Sequence, residues 1–444
     1  MKFANLLCTG LISLTWFAST AHADVWTAVN TWDEKWEQGY AEWVAKNWTA
    51  DFFARTDLPN GQKNPYYGIR ADCADTVYSM RLIYSFENKL PFEFQDPTTH
   101  ADRRITNKMS RFDKYTDEYR RLKNFLVYVF NTVSTHSLPN DTYPVGISRD
   151  TIHSGGLIRT TEVNHHSWTI KEIQSIGVPH LVFNSTVGRQ SGFGLQERVS
   201  WPNPAWVFEG NFAPDSEAGF RYWRPLEYIH RPVWEVPGYS EEQFTIPLKV
   251  WQKTVQNKLA LTQETDDQLM RRLSQTVCEA AKTRVTSVND GVNYLHTMPA
   301  DSCMEYGTYD TYSTPNRDQR LFDDISALRR AYKDILKSNQ GNTLTDAMKI
   351  QMNKVFPFIQ LTAKEETEKM QVSDLDDASW CPITYAPGKK IDLAEAKRRL
   401  FLGRMSNNPM DDVEYRWGGL QGPSQRAQAC ESWDVWKPDL KQAD

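Results

Sequence analysis

The sequence predicts an α+β fold in the first half of the chain and a mostly α-helical second half. Three observations carry this. Asp72-Cys73-Ala74 opens a segment whose apolar positions Ala74, Val77, Met80 and Ile83 have helical spacing. Two β-rich runs, residues 166–173 and 180–186, flank Ser175-Ile176-Gly177, which reads as a hairpin loop. From Ser240 onwards the apolar residues fall in stripes of helical period.

The chain has 444 residues, 40% of them hydrophobic and 24% charged, the composition of a globular protein long enough for two or three domains. Its formal net charge of −5 gives no basic field for nucleic acid. At the amino terminus, Met1-Lys2, an apolar run over residues 6–17 and Ala21-His22-Ala23 predict a signal peptide over residues 1–23, cut after Ala23. That run is too short to span a membrane, and no later segment reads as transmembrane. A periplasmic or secreted protein beginning at Asp24 is expected.

Residues 24–60 carry Val29, Trp32, Trp36, Tyr40, Trp43 and Val44 on one stripe, an amphipathic helix packed on the domain that follows. The break at residues 57–61 leads to Tyr66-Tyr67-Gly68 and then to Asp72, a good N-cap that puts Cys73 on the first turn of a helix. A thiol there meets the positive end of the helix dipole, which favours its thiolate. On the first hairpin strand, alternation places His166, Trp168 and Ile170 on one face, and His166 is expected to point to the core where the Cys73 helix lies. A hairpin centred on Ile176 brings Asn184 opposite Trp168, beside His166, with His180 the rival for that place. His165 has the opposite phase and is expected to face solvent.

Cysteine at a helix start, histidine on a strand and a polar residue on the next strand make the papain-like constellation. Tyr66-Tyr67-Gly68, Asp72-Cys73-Ala74, His166 and Asn184 resemble the pattern of the NlpC-like branch, the cell-wall peptidases and amidases, over residues 66–187. His166-Ser167-Trp168 is also similar to the His strand of transglutaminase-like enzymes. The spacer before His166 is longer than in such domains, and the turn before Cys73 lacks a second glycine. The resemblance implies a papain-like catalytic domain over residues 61–239 with a helical domain over residues 240–444. It implies hydrolysis of an amide bond in peptidoglycan stem peptides or envelope proteins, without a cofactor or metal. Cys73 is then the nucleophile, His166 the base and Asn184 the orienting residue. The backbone N–H of Cys73, with Tyr66 or Tyr67, faces the oxyanion. Two alternatives stand beside it: a transglutaminase-like acyl transferase, and a non-catalytic envelope protein that binds a partner.

Cysteine arithmetic supports a special role for Cys73. Loss of Cys8 with the signal peptide leaves five of the six cysteines, an odd number for an exported chain. Cys278, Cys303, Cys381 and Cys430 can pair in three ways, of which Cys278–Cys303 and Cys381–Cys430 are the sequence-local choice. Cys73 is the thiol left free.

The remaining segments read more simply. Residues 117–134 form a core helix. Residues 188–239 are loop-like, with Arg221, Arg224 and Arg231 among aromatics and prolines, either gripping a substrate carboxylate or clamping two domains. Residues 374–377 are acidic but lack the glycine and terminal glutamate of a calcium loop. Tyr415-Arg416-Trp417-Gly418-Gly419, with Cys430 after it, imitates the turn before an NlpC-like cysteine, but too little chain follows to bury a nucleophile helix.

Overall fold

The structure, a computed structural model, describes residues 24–99, 103–160, 166–184, 195–201, 217–338, 343–372, 375, 380–433 and 435–444. The expected signal peptide and His165 lie outside the described residues. Helices and strands both contribute, so the chain is α+β. No helix among the described residues is long and apolar enough to cross a membrane.

Two hydrophobic cores organise the chain. The first gathers buried side chains from Val25 to Leu259, the second from Met270 to Ala443. Helix α1 (Glu34–Asn47) starts where the Asp33 carboxylate accepts the N–H of Trp36, and it buries Tyr40 and Val44. Helix α2 (Cys73–Glu87) is buried from Ala74 to Phe86, more than an amphipathic stripe would bury, because it runs through the middle of the first core. A ribbon of β1 (Glu93–Gln95) and β2 (Arg104–Thr106) and helix α3 (Glu118–Phe130) flank it.

The sheet that α2 lies against has six antiparallel strands: β3 (Thr142–Pro144), β4 (Leu157–Arg159), β5 (Ser167–Ile173), β6 (Pro179–Phe183), β7 (Gln196–Val199) and β8 (Gly219–Trp223). Their order is β3-β8-β4-β5-β6-β7, so β7 is an edge strand. The β5–β6 hairpin turns at Gly177, whose φ of 79° is in the left-handed region that glycine tolerates. Helix α4 (Leu248–Leu259) covers the face away from α2: Trp251 stacks on Phe220 with ring centroids 5.8 Å apart. Both faces of the central strands are therefore covered by helices, which decides how the site is read below.

The second core is built on α5 (Asp266–Thr297) and α6 (Pro315–Lys337), packed along each other, with α7 (Asp346–Val355), the ribbon β9 (Ile383–Ala386) and β10 (Lys389–Ile391), and α8 (Leu393–Phe401). Thr265 and Gln268 form a capping box at the start of α5, and Asp392 caps α8. Buried ion pairs run through this half: Arg284 to Asp318 at 2.6 Å, and Arg329 and Lys397 to Glu366 at 2.9 and 3.1 Å.

The Trp251, Val255 and Leu259 stripe of α4 packs into the first core. One expectation changes here. The disulfides are Cys278–Cys381 and Cys303–Cys430, not the sequence-local pairs. The reason is geometric. Cys278 lies inside α5 and Cys303 beyond its end, and at 1.5 Å per residue the helix alone separates them by roughly 28 Å. The bridge to Cys430 also removes that cysteine as a nucleophile. Two disulfides suit an oxidising compartment.

Each bridge closes a loop across more than a hundred residues, 103 and 127. The chain-entropy relation gives such a loop about 4–5 kcal/mol of stabilisation. The Cys303→Ala, Cys430→Ala double variant is expected to unfold its helical half at markedly lower denaturant. Peptide mapping without reductant should recover these two pairs and a free Cys73. Recovery of a Cys278–Cys303 peptide would show that α5 is not a continuous rod.

Candidate active site

The first turn of α2 is fixed before any chemistry is considered. Asp72 Oδ1 accepts the N–H of Asp75, and Asp75 Oδ2 accepts the N–H of Asp72, each at 3.0 Å. This capping box holds Cys73 as the first residue of the helix. Three side chains on one face of the sheet then grip main-chain carbonyls around that turn. Arg159 Nε donates to Thr135 O at 2.8 Å, Ser167 Oγ donates to Cys73 O at 3.1 Å, and Asn184 Nδ2 donates to Ala71 O. Arg159 pairs with Ser167 across β4 and β5. Continuing the Thr169–Val182 register brings Asn184 opposite Ser167, so the three make one row.

The thiol sits inside this polar row. Cys73 Sγ lies 3.2 Å from Thr135 Oγ1, and Cys73 is the unbridged cysteine among the described residues. Burial pushes its pKa up to about 11, with the nearby Asp72 carboxylate adding to the effect. The Thr135 hydroxyl and the backbone N–H groups of Ala74 and Ser167 pull the other way without prevailing. The helix start was expected to favour the thiolate; in this arrangement burial outweighs it, and the group is a protonated thiol at neutral pH.

His166 is not its partner. The imidazole contacts Trp168 and Phe183, with ring centroids 4.4 and 6.0 Å away, and no hydrogen bond joins it to Cys73. Desolvation brings its pKa down to about 3, helped by the Arg320 guanidinium of α6 in the second half. His166 does share a face with Trp168, as alternation requires, but α2 lies on the other face, where Ser167 meets Cys73. Both faces are buried, so an apolar neighbour did not identify the helix side. Asn184 does lie on the Cys73 side, for a reason the sequence hid. The hairpin has the expected pairing near its loop, Glu172 with His180, but an irregularity between Ile170 and Glu172 shifts the register by one. Such a bulge exchanges the faces beyond it. Asn184 thereby comes opposite Ser167 rather than Trp168, away from His166.

His180 stays near the loop between Glu172 (3.4 Å) and Glu197 (3.7 Å). Tyr66 gives its hydroxyl to Glu87 at 2.7 Å, so that group does not serve an oxyanion beside Cys73, and Tyr67 is exposed. Arg221 is buried on Thr142, through Oγ1 at 2.8 Å and O at 2.9 Å, and Arg224 donates to the carbonyls of Pro139, Thr142 and Arg231. These two arginines clamp the chain instead of gripping a ligand. Thr135, Arg159 and Ser167 were missed in the sequence. The available signal was a polar residue within a run otherwise apolar on both faces, as Arg159 is in Leu157-Ile158-Arg159. Among the described residues no cluster of metal-binding side chains occurs.

The raised thiol pKa has two measurable consequences. Alkylation of Cys73 by iodoacetamide should accelerate with pH up to about 11 if no base assists, and should level off near neutrality if one does. An unfolded thiol ionises near ~8.5. The raised folded value therefore contributes stability that is complete below that pH and is lost as pH rises towards about 11. Cys73→Ala should flatten this alkaline part of the stability profile, and an unchanged profile would show that the thiol is not buried. Comparison of the chain with protein-family models, with curated proteins and with solved structures finds no match.

Proposed function

We propose that the protein is an exported thiol hydrolase of papain-like build, cleaving an amide bond in peptidoglycan stem peptides or envelope proteins. The observation that carries the proposal is the convergence on Cys73. The one free cysteine among the described residues begins a capped helix, and a row of sheet side chains is committed to holding that turn in place. A helix with cysteine at its start, packed on an antiparallel sheet next to a hairpin, is also the arrangement the papain-like resemblance implies. In the reaction a base removes the Cys73 proton, Sγ attacks the amide carbonyl carbon, and the backbone N–H at the helix start faces the oxyanion. The amine leaves with the proton, and water then releases the acid from the thioester. An amine in place of that water would give acyl transfer by the same intermediate.

His166 faces the wrong way for the base. A second reading has its own support: with no imidazole of the described residues bonded to the thiol and a pKa pushed up to about 11, Cys73 is also a packing residue of a non-catalytic envelope protein.

Purified peptidoglycan incubated with the mature protein and its variants separates these readings by mass analysis of released fragments. Wild type should release fragments and Cys73→Ala none. His166→Ala should lower the rate by less than about tenfold, because its side chain faces away from Cys73; a loss of about 10²–10⁴, the range for losing a positioned proton-transfer group, would restore His166 as the base. If neither peptidoglycan nor envelope protein is cut and Cys73 alkylates only at high pH, the binding reading stands.

A further inference from the structure

The two halves of the chain enclose a crevice of about 610 Å³ between the edge strand β7 and helix α5. That volume is in the range of small-ligand sites. Gln196 and Arg198 line it from the strand, and Gln275, Glu279, Lys282 and Thr283 from the helix. The charges of the lining are matched with one exception. Lys282 bonds Glu279 at 2.7 Å, and Glu197 is paired with Lys171 and lies 3.7 Å from His180.

Arg198 is the exception. It is 6% exposed, and its buried Nε and Nη1 make no hydrogen bond with the described residues. No carboxylate of the described residues pairs with it; its guanidinium lies over the Phe183 ring, 5.4 Å from the centroid. A cation taken from water with no counter-ion among the described residues is a substantial cost to the fold. Two N–H donors of a planar fork, Nε and Nη1, without an acceptor among the described residues are complementary to an oxyanion. Thr283 Oγ1, which donates to Glu279 O at 2.9 Å, lies 3.3 Å from Gln196 Oε1, where the helix wall meets the strand beside it.

We propose that this crevice binds a monoanionic ligand through its carboxylate, held bidentately by Arg198. A single unmatched cation suits a single negative charge, and the Glu197 and Glu279 carboxylates in the same walls disfavour a doubly charged phosphate. The site is separate from Cys73. Arg198 is paired with Leu181, which is paired with Ile170, so its side chain rises from the face opposite Ser167. The proposal does not rest on thiol chemistry.

Calorimetry with N-acetylglycine as the probe, N-acetylglycinamide as the neutral control and inorganic phosphate as the second anion tests it on the mature chain. N-acetylglycine should bind, the amide should not, and phosphate should bind at least tenfold more weakly. Arg198→Met should weaken N-acetylglycine at least tenfold, Arg198→Lys less, and Cys73→Ala not at all. Without ligand, Arg198→Met should melt at or above the wild-type temperature, because it removes an uncompensated buried charge. Phosphate binding as tight as the carboxylate would overturn the ligand class. A lower melting temperature for Arg198→Met with no carboxylate binding to wild type would show that the guanidinium serves the fold.

Discussion

Three side chains of one sheet face, each holding a main-chain carbonyl, fix the start of the central helix. Arg159, Ser167 and Asn184 donate to the carbonyls of Thr135, Cys73 and Ala71, and the Asp72–Asp75 capping box closes the turn from within. Ala71 and Thr135 are buried and Cys73 is partly so, and an unmade hydrogen bond is expensive there, so the row fixes how α2 meets the sheet as well as how it begins. Everything proposed for Cys73 depends on it. The thiol is placed by its backbone, and its ionisation is governed by how dry that row is.

The same constraint explains what was legible in the sequence. Helices with strong local signals were readable: the Asp72 cap stands where the sequence put it, with Cys73 as the first helical residue. The hairpin was readable too, since Gly177 marks it. Its far end was not. A one-residue bulge near Lys171 leaves no mark on an alternating pattern, yet it carries Asn184 to the other face. Alternation likewise shows which residues share a face but not which face meets α2, because Trp251 of α4 covers the second face as fully as α2 covers the first. The disulfide pairing needed the length of α5, and proximity in sequence misled.

The halves differ in how they treat charge. In the helical half, Arg284, Arg329 and Lys397 are buried against Asp318 and Glu366, an arrangement that removal of one partner would damage severely. Where the halves meet, the matching stops at Arg198. Arg320 of α6 also reaches His166 electrostatically and helps hold it neutral, so the second half bears on the residue that leads into β5. The sheet is thus read from both sides: a polar row towards the helix start, and an apolar face with a lone cation towards the second half.

The orientation of β5 against α2 can be tested without any substrate. Cysteine introduced by Ser167→Cys should form a disulfide with Cys73 under mild oxidation, leaving no free thiol, because Ser167 is already in contact with the Cys73 main chain. His166→Cys should leave both its new thiol and Cys73 titratable, because it faces the other side. The reverse result, a bridge from position 166 and none from position 167, would contradict the register and with it the placement of Cys73.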